Sequence, residues 1–382
     1  MLIISCAVTL LYSQTDIPGG NVNGFWNIAG SPYLIQGDIT IPLSSALSIE
    51  PGVEVQFLGN YSLRVRGHLE AVGSESDSIR FTKADSGPGW DGIRFIDAPD
   101  GSIMSYCIIE EGNASGSYPD NRGGAIYIEE TNPLFTHCSI RNNTASFGGG
   151  VYAVACSPVI LYTVFQGNTA SNYGGAVDLL GANAVIENCT FYSNDAAAGG
   201  AISIDLGTPL IRSCNITGTL GTCGIYFQEN SSANLTHCDF FGNAEYNFLS
   251  YVPAGLGDIV LQNANGDSCD IFYNIYLDPL FTDPAAGNFR LSGNSPCIDA
   301  GSPDSEMDPD GTIADIGAFS YLQTGDCFLP GDLNLDGSLD VLDVVLAVNC
   351  ILQAGDCSCA DLDENGNVNI LDVVMMISII LI

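Results

Sequence analysis

Two stretches near the C-terminus carry the oxygen-rich spacing of a calcium-binding loop. Each has twelve residues with Asp or Asn at positions 1, 3, 5, 9 and 12 and Gly at position 6, and the second begins 29 residues after the first (361 minus 332). Hard oxygen ligands suit the hard Ca²⁺ ion, and Gly permits the sharp turn. We expect two Ca²⁺ sites, the alternative being acidic turns without an ion. The candidate ligands are Asp332, Asn334, Asp336, Ser338, Asp340 and Asp343 in the first loop and Asp361, Asp363, Asn365, Asn367, Asn369 and Asp372 in the second.

A second set of candidate residues occupies one position of a repeated phrase in the middle of the chain. If the flanking aliphatic residues point inward, the residues that project outward from successive repeats are Tyr127, Tyr152, Asp178, Ser203 and Tyr226, with Glu129, Asp205 and Gln228 two residues further along. Exposed aromatic rings stack on sugars and carboxylates accept their hydroxyl hydrogen bonds, so Tyr127, Glu129, Tyr152 and Tyr226 are predicted to bind substrate. Asp178 and Asp205, roughly 8 Å apart, fall in the range of the two carboxyl groups of inverting glycosidases and are the predicted catalytic pair. The simpler alternative is a solvated acidic face.

The elements that position these residues follow from an internal repeat. Gly124, Gly149, Gly175 and Gly200 follow one another at intervals of 25, 26 and 25 residues, and a second phrase with Cys138, Cys189, Cys214 and Cys238 keeps the same period. A fixed period of this size indicates stacked coils, each of which buries its apolar face against its neighbours. Alternating β-branched residues with many Gly and Asn predict short strands.

This pattern resembles the right-handed parallel β-helix of the pectate-lyase-like superfamily of secreted bacterial proteins. The resemblance implies an all-β solenoid over residues 20–321, with irregular N-terminal coils and a closing segment at 255–321 that folds over the last coil. The Gly112–Asn121 insertion lengthens one repeat and is expected to project as a loop beside a binding site.

The spacing between residues of one column determines how several other motifs are interpreted. His137 and His237 lie four coils apart in one column, about 19 Å at one strand spacing per coil, so they cannot share a zinc ion. The cysteine column is predicted to be buried as small hydrophobic side chains without disulfides, because stacked parallel Cβ atoms do not give the bridge geometry. The column Asn143, Asn168, Asn194 and Asn243 is predicted to form turn ladders.

The net charge of −35, from 44 acidic and 9 basic residues, excludes nucleic acid as a partner, since phosphate binding needs clustered Lys and Arg. Residues 1–14 are interpreted as an imperfect signal peptide, which predicts a secreted or cell-surface protein. No stretch reaches about 18 uninterrupted apolar residues, so no membrane span is expected.

The C-terminal loops each run into an apolar helix, Val341–Leu352 and Ile370–Leu381, which predicts a small all-α domain at 331–382 after a linker at 322–330. These paired loop-helix units resemble type I dockerin. The resemblance implies docking onto a cohesin-like or other surface-anchoring protein, although the recognition positions hold apolar Val341-Leu342 and Ile370-Leu371 where dockerins use hydroxyl residues. Cys327, Cys350, Cys357 and Cys359 are expected to form disulfides, with three possible connectivities.

Two functions remain open from the sequence. One is a polysaccharide-binding or polysaccharide-degrading β-helix, as a glycoside hydrolase or a lyase, tethered by the dockerin-like module. A lyase would need Arg or Lys to take the proton beside the uronate, and Arg94, Arg122, Arg141 and Arg212 are the basic residues of the regular coils. The other is a non-catalytic surface or adhesion protein.

Overall fold

The structure, a computed structural model, describes residues 14–84, 87, 89–323, 330–333, 339–353, 358–363 and 367–381. The chain forms two compact units. The first ends at Tyr321 and excludes residues 309–311, and the second holds those three residues and the chain from Leu322 onward. The predicted signal peptide lies outside the described residues except for Gln14, as does most of the predicted linker.

The first unit is a parallel β-solenoid of the right-handed type with about nine turns. Each turn adds one strand to each of three sheets, and neighbouring strands pair in parallel. Sheet A contains Thr15–Ile17, Tyr33–Ile35, Glu54–Phe57, Ile79–Lys83, Cys107–Glu110, Ser139–Arg141, Val164–Gln166, Thr190–Tyr192, Asn215–Thr217 and Asp239–Phe241. Sheet B contains Gly20–Asn21, Ile39–Ile41, Leu63–Val65, Ile93–Ile96, Ile126–Glu129, Val151–Val154, Val177–Leu180, Ile202–Asp205, Cys223–Phe227 and Tyr246–Ser250. Sheet C contains Gly24–Trp26, Ala46–Ile49, His68–Val72, Ile103–Ser105, Leu134–Thr136, Val159–Leu161, Val185–Glu187, Leu210–Arg212 and Asn234–Thr236.

A fourth parallel sheet, sheet D, lies in the turns between sheets A and B. The repeat did not predict it as a separate sheet. Its strands are Thr144–Phe147, Thr169–Tyr173, Asp195–Ala198 and Leu220–Gly221. They belong to the coils with the most regular spacing, where equal turn lengths bring equivalent backbone groups side by side.

The predicted glycine column is confirmed. Gly124, Gly149 and Gly175 each donate a backbone hydrogen bond of 3.0 Å to the next coil. A Cβ atom at Gly149 would lie 2.4 Å from the carbonyl oxygen of Gly175, so this close approach of backbones requires glycine. Every second residue of a strand then points into the interior. Ile126 and Ile128, for example, have no exposed surface. Burying each such side chain contributes about 1.5–3 kcal/mol.

The predicted asparagine ladder is also confirmed. Asn143, Asn168 and Asn194 are fully buried. Asn143 Nδ2 donates to Asn168 Oδ1 at 2.9 Å, and Asn168 Nδ2 donates to Asn194 Oδ1 at 3.0 Å. Each Nδ2 also reaches a backbone carbonyl of the preceding coil, such as Asn143 to Ile109 at 3.0 Å. Because buried polar groups are costly when unpaired, this ladder fixes the turn after sheet A in three consecutive coils.

Cysteine and histidine side chains behave as the columns predicted. The cysteines of the first unit that the structure describes are buried and form no disulfide. His137 stacks between Tyr106 and Tyr162, with ring centroids 4.7 and 4.9 Å apart, whereas His237 stacks on Tyr273 at 5.1 Å. The two histidines therefore belong to separate aromatic stacks, and each lies in a turn between sheets C and A.

The closing segment, residues 255–321, does more than the sequence predicted. Ile275 pairs with the last strand of sheet A, as expected for a segment that covers the last coil. Before Ile275, Leu261–Gln262 pairs antiparallel with Ser268–Cys269. After Ile275 the chain runs back along the outer face of sheet A, where Phe281–Asp283 pairs antiparallel with Asn288–Leu291. Phe289 packs with Val164 and Ala318 on that face. The segment thus covers a side of the solenoid as well as its end.

The second unit contains two α-helices, Val341–Gln353 and Ile370–Ile380, close to the predicted bounds. Short 3₁₀ turns lie at Ser358–Ala360 here and at Ile28–Gly30 and Pro284–Ala286 in the solenoid. Ala347, Val373 and Met376 form the centre of a small apolar core between the helices. Cys350 and Cys359 are both disulfide-bonded, in agreement with the prediction for this region. Among the described residues, no helix is long and apolar enough to cross a membrane.

Candidate functional site

The outward-facing side chains of sheet B form one continuous column. Register pairing connects Arg64, Arg94, Tyr127, Tyr152, Asp178, Ser203 and Tyr226 in that order along the solenoid axis. We call this set the sheet B column. The sequence predicted its last five members, Tyr127 to Tyr226, but it did not extend the column into the irregular coils that hold the two arginines.

The expectation that the tyrosines of this column are exposed is wrong for two of them. Tyr127 has no exposed surface and Tyr152 only 1%. The predicted insertion loop and the residue that follows it contact them. Tyr118 of the loop forms a hydrogen bond with Tyr127, and Arg122 donates a hydrogen bond to the Tyr152 hydroxyl and lies 4.7 Å from its ring centroid. The Tyr127 hydroxyl donates to Glu129 Oε2 at 3.1 Å. Burial raises the pKa of Tyr127 above its ordinary value, with further contributions from Tyr118 and Glu129.

The predicted catalytic pair is divided between a buried and a half-buried position. Asp178 is 4% exposed, and burial raises its pKa to about 7, against the lowering effects of a hydrogen bond to Ser203 and the charge of Arg122. The charge of Asp205 also acts on Asp178, so the two carboxyl groups are near one another, and Asp205 is half-buried. A buried carboxyl group with a pKa near neutrality has the property of a general acid, but it must also contact substrate.

The ring of Tyr173 explains why Asp178 is buried. Tyr173 stacks on Tyr226 with ring centroids 5.4 Å apart, although Tyr226 lies two column positions beyond Asp178. One strand spacing is about 4.8 Å, so the Tyr173 ring lies over the position of Ser203, beside Asp178. Small residues at these two positions leave the space that this ring fills.

A cavity of about 580 Å³ opens over the first half of the column. Its wall carries guanidinium and carboxylate groups together, with the insertion loop on one side. The lining residues are Asp38, Ser62, Arg64, Arg66, Asp91, Arg94, Ile96, Asp97, Pro119, Asp120 and Tyr127. The sequence analysis did not find this site, although Arg64 and Arg94 occupy paired outward positions of two neighbouring strands and Arg66 directly follows the first of these strands.

Arg94 is the most firmly held basic group of the cavity. It is only 5% exposed, lies 5.5 Å from the Tyr127 ring centroid and donates to the backbone carbonyl oxygens of Arg122 and, at 3.1 Å, Asp120. Burial lowers its pKa to about 10, so it stays charged at neutral pH. Neither Arg94 nor Arg66 forms an ion pair with the described part of the chain.

The carboxylates of the cavity use only part of their hydrogen-bonding capacity within the protein. Asp38 Oδ1 accepts hydrogen bonds from the backbone and hydroxyl of Ser62, and Asp38 Oδ2 lies 4.0 Å from Arg64. Asp91 Oδ1 is buried without a hydrogen-bond partner among the described residues. Burial raises the pKa of Asp91, opposed by the charge of Arg94. The cavity therefore offers fixed cations beside acceptor oxygens.

The C-terminal unit brings together part of the predicted calcium ligands. Carboxylate oxygens of Asp361, Asp363 and Asp372 lie within 4.8 Å of one another. Asp372 also accepts backbone hydrogen bonds from Leu362 and Asn369, at 3.0 and 2.8 Å, and the Asn369 side chain caps the second helix. This is a donor set that fits a hard cation.

The first loop repeats this arrangement where the structure describes it. Asp343 accepts backbone hydrogen bonds from Leu333 at 2.8 Å and Asp340 at 2.9 Å. Asp332 and Asp343 are buried. The backbone carbonyl of Asn367, the predicted position 7 ligand of the second loop, accepts from Asn369 Nδ2 at 2.9 Å. The remaining predicted ligands, Asn334, Asp336, Ser338 and Asn365, lie outside the described residues.

Fold and site together define a protein of the parallel β-helix class with a charged cavity on one outer face. Residues 162–274 match the family described as the right handed beta helix region. The chain is similar to Protein bark beetle of Drosophila melanogaster, with 29% identity over 104 residues, which cover 24% of this chain and 3% of that protein. The cavity lies before the segment that matches the family.

Proposed function

We propose that this protein is a secreted or cell-surface β-helix protein that binds an acidic polysaccharide in the cavity of sheet B. The observation that carries the proposal is the concentration of Arg64, Arg66 and Arg94 around one cavity in a chain with only 9 basic residues. A guanidinium group pairs with a carboxylate or sulfate through two parallel hydrogen bonds. The neighbouring Asp side chains accept hydrogen bonds from sugar hydroxyl groups.

The geometry favours binding over cleavage. Asp178, which has the pKa of a general acid, is covered beside the Tyr173 ring, and hydrolysis would require this ring to move. The charge interaction between Asp178 and Asp205 supports the hydrolase as the second candidate. Cleavage of a bound glycan that stops in an Asp178→Asn variant would establish the hydrolase instead.

A panel of immobilised glycans tests the binding. The full-length protein should be retained by uronate-containing or sulfated chains, and raised salt should weaken the retention, because the contacts are ionic. We expect Arg94→Ala to weaken binding at least tenfold, whereas Arg290→Ala, which removes an arginine from an exposed ion pair with Glu75, should leave it unchanged. Equal retention on neutral glycans would contradict the proposal.

We also propose that the C-terminal unit binds two Ca²⁺ ions and works as a dockerin-like anchor. The Asp361, Asp363 and Asp372 cluster supports the second site. Excess chelator should remove the helical circular dichroism signal and leave the β signal of the solenoid in place. An unchanged helical signal would show that these loops are not calcium sites. Asp372→Ala should reproduce the loss, and Asp258→Ala, a surface change in the solenoid, should not.

The anchoring role is supported by exposed apolar pairs at the start of both helices. Val341 and Leu342 are 67% and 53% exposed, and Ile370 and Leu371 are 66% and 59% exposed. Because they occupy the recognition positions of dockerin, we propose a cohesin-like or other surface-anchoring partner with an apolar contact surface. The disulfide-bonded Cys350 and Cys359 support an oxidising extracellular location. Binding to a panel of cohesin domains that persists after Leu342→Ser with Leu371→Ser would contradict this contact.

A further inference from the structure

The part of the closing segment that follows Leu277 lies on the outer face of sheet A as a separate layer. We call residues 278–308 and 312–321 the strap. Its buried apolar side chains belong to two small clusters, one around Cys297 and Ile316 and one around Phe289, and neither cluster is part of the interior of the solenoid. Opening of the strap would therefore leave the main core intact, as in the local opening of other proteins.

The strap contacts one outward column of sheet A. In register order along the axis, this column consists of Val164, Thr190, Asn215 and Asp239. Phe289 packs with Val164, and the backbone N–H of Ala318 donates to Thr190 Oγ1 at 3.0 Å. These two contacts involve only uncharged groups, so their strength does not depend on pH.

Asp239, the last member of this column, differs from the others because it can carry a charge. It has no exposed surface. Its Oδ1 accepts a hydrogen bond from the backbone of Leu277 at 3.0 Å, and its Oδ2 lies 3.3 Å from Asn215 Nδ2 and 3.7 Å from the sulfur of Cys297. In the described part of the chain, no basic side chain forms an ion pair with Asp239. An ionised carboxylate here would be a buried charge without a counter-charge, which is strongly unfavourable.

The ionisable groups around Asp239 are acidic. Cys297 and Asp278 face it from the strap, Cys238 precedes it in the last coil, and Asp315 acts on the Cys297 thiol from within the strap. Burial raises the pKa of Asp239 to about 8, against the hydrogen bonds that it accepts. Burial and the charge of Asp239 also raise the pKa of the Cys297 thiol. At neutral pH the closed strap therefore covers an uncharged carboxyl group.

The chain immediately before the strap is held on the last coil independently of it. The backbone N–H of Ile275 donates to Cys238 at 2.8 Å, and the carbonyl of Ile275 accepts from Phe240 at 3.0 Å. The side chain of Asn274 also accepts from the backbone of Cys238, at 2.9 Å. Residues up to Leu277 would thus remain in place when the strap opens, and the hinge would lie directly beside the buried carboxyl group.

We infer that the strap is a pH-sensitive cover of sheet A, closed while Asp239 is protonated and released when Asp239 ionises. Release places the carboxylate and the Cys297 thiol in water and exposes the rest of the column. The closed form holds a proton that the open form has lost above an ordinary Asp pKa of about 3.9. Ionisation of Asp239 should therefore raise the ratio of open to closed strap by up to about tenfold per pH unit between about pH 4 and pH 8. The cover is tightest in acid.

Pulsed alkylation of Cys297 in the full-length protein tests the inference. Iodoacetamide is applied at a series of pH values between about 6 and 8, and peptide mass spectrometry gives the labelling rate of each cysteine. We expect Cys297 to react faster in the wild-type protein than in Asp239→Asn, by a factor that grows up to about tenfold per pH unit. Comparison at equal pH removes the pH dependence of the thiol itself. Asp258→Asn, which neutralises an exposed carboxylate of the closing segment, is the matched control and should behave as wild type.

Cys189 is the internal reference, because it is fully buried in the interior of the coils and should stay unlabelled while Cys297 reacts. Labelling of both thiols at one rate would mean that whole coils open, which overturns the inference. Equal labelling of Cys297 in the wild-type protein and Asp239→Asn at every pH overturns it as well.

Hydrogen exchange of the wild-type protein gives a second measurement, which decides the matter if Asp239→Asn does not fold. Exchange rates of strap amides, corrected for their intrinsic pH dependence, should rise relative to those of the sheet B strands between about pH 6 and pH 8. A constant ratio of the two sets of rates overturns the inference.

Discussion

Sheets A and B are built from the same coils, yet the outer face of sheet A is covered by the closing segment and that of sheet B carries an open cavity. On sheet A the closing segment packs Phe289 against the strands, and Glu110 forms ion pairs with Arg80 and Arg141. On sheet B only a short loop covers the column, and Arg66 and Arg94 form no ion pair with the described residues. The repeat determines the interior of both sheets alike, so the non-repeating segments decide which face is sealed and which can bind.

The strongest test of this comparison removes one ring from each face. Phe289→Ala should destabilise the solenoid by about 3 kcal/mol, because Phe289 is 2% exposed and leaves a cavity between the closing segment and sheet A. Phe147→Ala on the sheet B side should cost about 1 kcal/mol or less, since Phe147 is half-buried and its site can relax. Urea unfolding measures both. Equal losses would mean that the two faces are equally packed.

A second test uses pH. Burial raises the pKa of Asp239, on the covered face of sheet A, to about 8, despite hydrogen bonds that lower it, the first from the backbone of Leu277. Folded protein then holds a proton that the unfolded chain has lost above an ordinary Asp pKa of about 3.9. Stability should therefore fall as pH rises from about 4 to 8, by about 1.4 kcal/mol per pH unit at most for this group.

Thermal unfolding of two variants distinguishes the faces in this pH range. Asp239→Asn should flatten the profile up to about pH 8. Asp178→Asn should flatten it only up to about pH 7, the pKa of Asp178. An unaltered profile in Asp239→Asn would show that this carboxyl group is ionised in the folded state.

The smallest expected effect comes from the paired charges of sheet A. Burial favours the neutral form of Glu110, but hydrogen bonds and charge from Arg141 and then Arg80 outweigh it and lower the pKa. The two arginine side chains are 35% and 47% exposed, so solvent weakens the pair. We expect Glu110→Gln to cost about 1 kcal/mol by urea unfolding. Glu50→Gln, at an exposed position, is the control and should cost nothing measurable.

Sequence reasoning succeeded where residues recur at a fixed interval. Gly149, Cys189 and Asn168 each occupy a column, and one period fixed their neighbours and their burial. It failed at Tyr127 and Tyr152. The alternation of residues along a strand shows that a side chain points outward, but it does not show whether a neighbouring loop covers that side chain.

The cavity was missed for a related reason. Arg64 and Arg94 lie in coils of unequal length, where register cannot be derived from a period. The direction of the closing segment was missed too, since Phe289 makes its contacts with a strand more than a hundred residues away. Such contacts depend on the folded solenoid and leave no periodic signal.

The asparagine ladder makes three consecutive coils alike at the turn after sheet A. Since Asn143 and Asn168 make the same bonds in consecutive coils, a duplication or deletion of one of these repeats would keep the ladder continuous across the joint. The length of the surface that faces a ligand can thus change by one step during evolution while the hydrophobic interior stays the same. Proteins that evolved from one such chain would differ in the number of polymer units that they bind.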